Sequence, residues 1–375
     1  PFLRSRKHLD IIYTEYCLTH GVEDACKYGL PRPNLEAAYK GFAKYGKPQP
    51  DFDAIAFAKA VEGLELEFGP YVRGYRVKTL DESIAALDRS TSNGYPLNKK
   101  YATKTEALQD PNVIELLHYV WDRLLDPDYW AIWSLSLKDE IREIEKIEAN
   151  KIRAFTASSL EFTANANRMS LDFNERFNKS HVKTASCVGL NIFNGGWDML
   201  FRKMNVKPNQ FEMDISEHDS SVFRAVMSAI RDFRWRMLRE EDRTFENFQR
   251  FWNIHKNNID SVVLMADGNL FQKHTGMPSG SVDTINDNTM VVFVYLLYAW
   301  FVLYPNKTYW DFKKEVVNSI CGDDNQIGVD DNIVNIFNVK NIMEVLSRLG
   351  VKVTTPCELP RPVSQCKFLS RSFDV

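Results

Sequence analysis

The chain has 375 residues, of which 44% are apolar and 26% charged, with a formal net charge of −3. That length buries a large core spread over two or three subdomains, and the composition is that of an ordinary soluble globular protein. A protein that grips nucleic acid over a wide surface is usually basic overall, so any RNA or DNA contact has to come from a locally basic channel.

In chain order, helical spacing is visible around Leu9 to Leu18 and from Phe52 to Glu65, with Pro31-Arg32-Pro33 and Lys47-Pro48-Gln49-Pro50 as loops. Cys17, His20 and Cys26 lie close together but match no common zinc spacing. With Cys187, Cys321, Cys357 and Cys366 they are scattered without pairing, the pattern of reduced thiols in a cytosolic compartment. No signal peptide or targeting motif is visible, and a start at Pro1 reads as a processed or excised chain. No internal repeat or low-complexity tract is found.

Thr91-Ser92-Asn93-Gly94-Tyr95-Pro96 is a turn-rich loop whose backbone amides can face an anion. Lys138 to Arg153 alternates cations and anions, with Ile141, Ile144 and Ile147 recurring every third residue. It reads either as a solvated, salt-bridged hairpin or helix, or as a phosphate clamp of Lys138, Arg142, Lys146 and Arg153 oriented by the acids. A helix is predicted from Thr163 to Phe177, then a strand from Gln210 to Ile215 that runs into a long helix opening at Ser216 and reaching about Arg239. Asp214 sits at the strand end, a common place for a metal ligand. Asp219 stands near the helix start, where a cap is the plainer role.

Ser261 to Leu264 and Leu270 to Lys273 flank Ala266-Asp267-Gly268-Asn269 as a hairpin. The Gly276 to Ser281 loop then becomes a helix with Thr284 and Asn288 on one face, polar groups that need either a neighbouring strand or a hydroxylated ligand. The longest uncharged apolar run, Met290 to Tyr304, falls short of the ~20 residues of a membrane span and reads as a buried helix. Val317 to Val329 reads as a β-hairpin with Gly322-Asp323-Asp324 at its tip. Adjacent aspartates repel, so such a tip needs full solvation or a bound cation. An amphipathic helix from Val334 to Arg348, an edge strand Val351 to Thr354 and a further strand Cys366 to Arg371 complete the chain.

Taken together these segments resemble the viral RNA-dependent RNA polymerases, most closely the picornavirus-like branch of positive-strand RNA viruses. Thr91 to Pro96 is similar to motif G, the loop at which template enters, and Lys138-Asp139-Glu140-Ile141-Arg142 through Arg153 to motif F. Asp214 and Asp219 match the D-x4-D of motif A. Ser279-Gly280 with Thr284 and Asn288 match motif B, Gly322-Asp323-Asp324 motif C, and Phe368-Leu369-Ser370-Arg371 motif E.

The resemblance implies an α+β right-hand polymerase fold, with an antiparallel palm sheet backed by helices, and fingers. Expected boundaries are fingers at 1–170, palm at 171–258, a fingers hairpin at 259–276 and palm again at 277–375. It implies template-directed RNA synthesis by two-metal nucleotidyl transfer, with Asp214, Asp323 and Asp324 holding two Mg²⁺ ions for which Mn²⁺ substitutes. Lys138, Arg142, Lys146 and Arg153 are then expected on the triphosphate. Asp219, Ser279, Gly280, Thr284 and Asn288 are expected at the ribose. Thr91, Ser92, Gly94, Tyr95, Pro96, Phe368, Leu369 and Arg371 are expected on template or primer.

Partners implied are an RNA template with primer or product, nucleoside triphosphates and other viral replication proteins, with no transmembrane segment, in the host cytoplasm at replication complexes. Two departures stand out. Thr355-Pro356-Cys357-Glu358-Leu359 has Leu where many relatives carry the motif D lysine, leaving Lys352 or Arg361 as stand-ins. The chain stops at Val375 where a helical thumb is expected to begin, which predicts poor grip on the product duplex and weak processivity. The alternatives are a reverse transcriptase, against which Asp219 argues, and a non-catalytic RNA-binding scaffold, against which the retained Asp214, Asp323 and motif F cations argue.

Overall fold

Two four-stranded sheets organise the computed structural model, which describes residues 15–16, 18–21 and 27–373. Cys17, Cys26 and most of the helix expected around Leu9 to Leu18 lie outside the described residues. The strands that build the sheets are β1 (Ile132–Leu137), β2 (Ala154–Ala157), β3 (Asn209–Ile215), β4 (Val262–Leu264), β5 (Leu270–Gln272), β6 (Val316–Cys321), β7 (Asp324–Val329) and β8 (Val353–Thr354).

One sheet runs β8-β3-β7-β6 and is antiparallel throughout. The other runs β2-β1-β4-β5, with β1 and β4 parallel. The hairpin expected after Ser261 therefore extends the sheet formed by the 132–157 segment.

Register in the first sheet brings distant acids to one edge. Met213 pairs with Asn325, so Asp214 falls level with Asp324 where the ladder ends, and Cys321 pairs with Asp324 across the turn at Gly322-Asp323. Gly322 has φ +66°. A two-residue hairpin whose first central residue is left-handed is a type II′ turn, and glycine takes that conformation without a Cβ penalty.

Helices cover this sheet: α1 (Ala54–Val72), α2 (Leu160–Lys179), α3 (Arg224–Met237), α4 (Thr284–Leu303) and α5 (Val339–Ser347). Asp53 caps α1 by accepting from Ile55 N and Ala56 N. α4 is apolar all round because it is surrounded, with sixteen of its twenty residues buried, and it shares the main core with α1, α3 and the sheet. It is the one described helix long and apolar enough to cross a membrane, and 89% of its most apolar stretch is buried within the protein.

The polar first turn of α4 is anchored by charge. Buried Arg234 donates to Asp287 Oδ1 from Nε at 2.8 Å and Nη2 at 2.6 Å, reaches Asp283 at 3.3 Å, and lies over the Phe173 ring at 4.0 Å. Ser170 Oγ donates to Asp283 at 2.9 Å, so helices α2, α3 and α4 meet at one ionic cluster.

Three expectations are corrected. The long helix from Ser216 to Arg239 is broken: His218–Ser221 forms one short turn, Val222 and Phe223 are extended, and α3 begins at Arg224. The backbone there pairs sideways instead, with Val222 O accepting from Gly276 N at 2.8 Å and Asp219 O from Met277 N at 2.7 Å. The helix expected from Val334 starts only at Val339, where Asn338 caps it by accepting from Asn341 N. Cys366 to Arg371 is not one strand but a hairpin of β9 (Lys367–Phe368) and β10 (Arg371–Ser372). Leu369 and Ser370 at its turn have φ +51° and +58°. Left-handed conformation at both central residues is the type I′ turn, built here without the Asn or Gly that normally announces it.

Candidate active site

The open end of the β3-β7-β6 ladder gathers three carboxylates. Asp214 stands exposed at its strand end, yet the protein around it holds its carboxyl above the ordinary range, first by desolvation and then by the charge of Asp323, with Arg153 opposing. Asp324 is pushed up to about 6, chiefly by burial and further by Asp323 and Asp214, while an accepted backbone bond from Leu369 N opposes the rise. Two carboxyls whose affinity for protons is raised by burial and by neighbouring negative charge form a site short of positive charge.

The tip is braced from two sides. Asn325 Nδ2 donates both to Met213 O and to Asp323 O at 3.1 Å, tying the strand before Asp214 to the turn. Buried Thr289, on α4, accepts from Gly322 N at 2.9 Å through Oγ1 and donates to Ile285 O at 2.8 Å. Neither brace was singled out in the sequence, although Thr289 follows directly on Asn288.

Among the described residues no group of three His, Cys, Asp or Glu side chains forms a compact metal-binding set. The donors present are carboxylate oxygens on adjoining strand ends. They suit Mg²⁺, which keeps several waters and is held by one or two carboxylates together with substrate phosphates rather than by an all-protein cage.

Next to the acids lies a second polar cluster. Asp219 accepts from Asn288 Nδ2 at 2.9 Å and from Ser279 Oγ. Thr284 does not join it. Its Oγ1 donates to Pro278 O and Ser281 O at 2.9 Å, so it fastens the loop that carries Ser279. Gly280 donates to Thr156 O at 2.8 Å, and a Cβ there would stand 2.4 Å from that same oxygen. The loop can lie on β2 only because this position has no side chain.

Two further side chains complete the loop's seat. Tyr45 packs beneath it, its phenol held neutral by burial and by the charge of Asp219. Lys273 is 2% exposed and donates to Asn258 O at 2.9 Å, Ile259 O at 3.2 Å, Thr275 O at 3.3 Å and Gly276 O at 2.6 Å. Burial lowers its ammonium to about 7, while those carbonyl dipoles favour the charged form.

The segment 138–153 is neither a continuous helix nor a plain hairpin. Arg142 and Glu143 are extended, Ile144–Glu148 is a short helix, and Lys138 N donates to Arg153 O at 2.7 Å as β1 and β2 pair. Glu140 lies between Arg142 at 3.4 Å and Arg153 at 3.6 Å, so acids do orient cations. Lys146 sits on the short helix and pairs with Glu143 at 2.8 Å. Of the four expected cations, Arg153 is the one whose charge is felt at Asp214.

The loop Thr91 to Pro96 is tethered rather than free. Thr91 Oγ1 accepts from Lys104 Nζ, Ser92 Oγ accepts from Gly94 N at 3.1 Å, and Asn93 O accepts from Leu160 N at 2.8 Å, leaving Tyr95 and Pro96 exposed. In the 367–372 hairpin, Phe368 is buried beside Cys187 and Leu200, Leu369 N donates to Asp324 Oδ2 at 2.9 Å, and Arg371 is exposed. Glu212 accepts from Arg361 Nη2 at 2.8 Å and from Lys367 N at 2.7 Å. Arg361 also pairs through its backbone with Gln210, about 13 Å along the strand from Asp214.

Comparison with known proteins places this geometry in context. The family model described as viral RNA-dependent RNA polymerase matches residues 21–375. The genome polyprotein of Watermelon mosaic virus II is 30% identical over 320 residues, covering 83% of this chain and 30% of that protein. The genome polyprotein of Zucchini yellow mosaic virus (strain Reunion Island) is 29% identical over 353 residues, covering 90% of this chain and 11% of that protein. Genome polyprotein 1 of Barley mild mosaic virus is 28% identical over 277 residues, or 73% of this chain and 12% of that protein. The chain thus spans less than a third of each of these curated relatives. Among solved structures, the Sicinivirus 3Dpol RNA dependent RNA polymerase superposes with a TM-score of 0.77 at 18% identity, over 92% of this chain and 75% of that one. The fold is therefore the polymerase fold, mixed helix and sheet, with β8-β3-β7-β6 as its antiparallel sheet.

Proposed function

The chain belongs to the viral RNA-dependent RNA polymerase family, and from that premise we propose that it performs template-directed RNA synthesis from nucleoside triphosphates in the replication of a positive-strand RNA virus. The observation that carries this is the convergence of Asp214, Asp323 and Asp324 at one end of the sheet, where burial and mutual repulsion raise the carboxyls of Asp214 and Asp324.

Asp214 and Asp323, supported by Asp324, would hold two Mg²⁺ ions, with Mn²⁺ as a substitute. Such ions, when bound, neutralise charge on the attacking 3′-oxygen and on the leaving pyrophosphate. The chain's own groups do the rest. Arg153, with Arg142 and Lys138, draws the triphosphate towards the acids, and Glu140 keeps the two arginines spread between substrate and protein. Asp219, held by Ser279 and Asn288, offers carboxylate oxygen to the ribose hydroxyls, which is the preorganised acceptor that a deoxyribose leaves unpaired. Thr284 and Gly280 act one step back, by fixing the Ser279 loop. The exposed edge at Tyr95 and Pro96 and the 367–372 hairpin are assigned to template and primer. The activity belongs to the host cytoplasm, in complexes with other viral replication proteins.

The test is divalent-dependent ribonucleotide incorporation on a primed RNA template by the wild type and by Asp323→Ala. Incorporation that Asp323→Ala abolishes while RNA binding persists is the expected result. A wild type that binds RNA yet incorporates nothing with either Mg²⁺ or Mn²⁺ would overturn the proposal in favour of a non-catalytic scaffold.

A further inference from the structure

Between the two clusters lies a side chain to which none of these functions has been given. His218 immediately precedes Asp219, in the one-turn helix that replaces the expected long one, and is 3% exposed. Neither ring nitrogen makes a hydrogen bond of ordinary geometry, and the same holds for Asn288 Oδ1. A buried polar atom without a partner is destabilising, so these orphans call for an explanation.

The ring stands within interacting range of the Asn288 side chain and feels the negative charge of Asp323 and Asp219, while burial, the largest influence, keeps it neutral. A neutral imidazole carries one N–H donor and one acceptor. Asn288 directs one of its two Nδ2 hydrogens to Asp219 Oδ1 at 2.9 Å, and its Oδ1 acceptor is the atom left orphaned. Donor and acceptor match.

We infer that His218 is a positioning residue for sugar selection: its ring N–H donates to Asn288 Oδ1, fixing which way the Asn288 amide faces and hence how Asp219 presents its carboxylate to the ribose. The chain of contacts then runs from Ser279 through Asp219 and Asn288 to His218. An unfixed amide turns over, presents oxygen to the Asp219 carboxylate, and repels the group it now holds. This inference rests on the assignment of Asp219 to ribose recognition.

The experiment compares kcat/KM for a ribonucleoside triphosphate and its 2′-deoxy analogue in the wild type, His218→Phe, His218→Gln, His218→Asn, Asn288→Ala and the double variant His218→Phe/Asn288→Ala. His218→Phe fills the ring's space without a donor and is expected to reduce ribose-over-deoxyribose preference about three- to ten-fold, the size of one net hydrogen bond. One of the two amide variants is expected to restore preference, since Asn and Gln carry a donor at the two ring-nitrogen positions. The double variant is expected to match Asn288→Ala alone.

A purely structural role for His218 lowers both substrates together and leaves the ratio unchanged, and that result in soluble, folded His218→Phe and His218→Gln overturns the inference. If Asn288→Ala shifts the ratio and His218→Phe does not, the ribose assignment stands and only the role of His218 falls. If neither shifts it, the ribose assignment falls too.

Discussion

Thr289 Oγ1 accepts the backbone N–H of Gly322 at 2.9 Å, joining the buried helix α4 to the turn between Cys321 and Asp324. The turn that presents Asp323 is therefore positioned by the core and not only by its own hairpin. Thr289→Val keeps the shape but removes the acceptor, leaving a buried N–H unpaired at a cost of about 1–3 kcal/mol. The expected outcome is that loss in urea denaturation and a drop in kcat for nucleotide incorporation larger than any change in KM.

Asp324 makes stability depend on pH in a definite sense. Its carboxyl rises from an ordinary 3.8 to about 6 in the fold. Below pH ~4 it is protonated folded or unfolded, and nothing is lost. Between about 4 and 6 the unfolded chain gives up its proton first, so without divalent ions the contribution to stability falls as pH rises through that window and stays low above it. Asp324→Asn, which still accepts from Leu369 N, is expected to gain about 1 kcal/mol at pH 7 after allowance for solvent screening, and to show no gain at pH 4. Thermal unfolding with a chelator present at both pH values checks this.

Lys273 holds four backbone carbonyls on the approach to the Ser279 loop. Lys273→Met preserves the chain length and apolar stem but takes the ammonium from those oxygens, of which Asn258 O keeps Ser261 Oγ as a donor at 3.0 Å. Destabilisation by about 2–3 kcal/mol is expected, together with faster amide exchange at Gly276 and Met277, whose N–H groups pair with Val222 O and Asp219 O. Hydrogen exchange read residue by residue decides whether the loosening is local.

Arg234 is the sole cation bonded to Asp287 among the described contacts, and both side chains are buried. Arg234→Met should cost about 3–5 kcal/mol, because it strands buried carboxyls rather than removing a surface pair. Asp287→Asn in the Arg234→Met background is expected to recover part of the loss, and a double-mutant cycle in denaturant measures the recovery.

Much of this site is legible in the sequence because its parts are local. Asp214 at a strand end, the Gly322-Asp323-Asp324 turn and the Ser279-Gly280 loop each announce themselves by alternation or turn residues. The features that stayed hidden depend on partners distant in the chain. The break after Ser221 arises from backbone pairing with Gly276 and Met277, which no local propensity encodes. Thr284 and Asn288 share a helical face as spacing requires, yet one turns to the loop backbone and the other to Asp219, a difference set by the groups opposite each. The Leu369-Ser370 turn escaped because neither residue is one that a left-handed turn normally selects.

The register that sets Asp214 level with Asp324 also dictates when the acids meet. The 316–329 hairpin closes over a two-residue turn and forms from neighbours in the chain, on the microsecond scale of such elements. Its junction with Met213 spans 112 positions, so Asp214 arrives only after a long loop has been closed against its entropy. Until then Asp214 stays apart from Asp323 and Asp324, and its repulsion from them opposes nothing. The nascent chain can thus complete each half of its sheet free of the repulsion between them, and meets the electrostatic cost of bringing Asp214 to the other two acids only when that long loop closes.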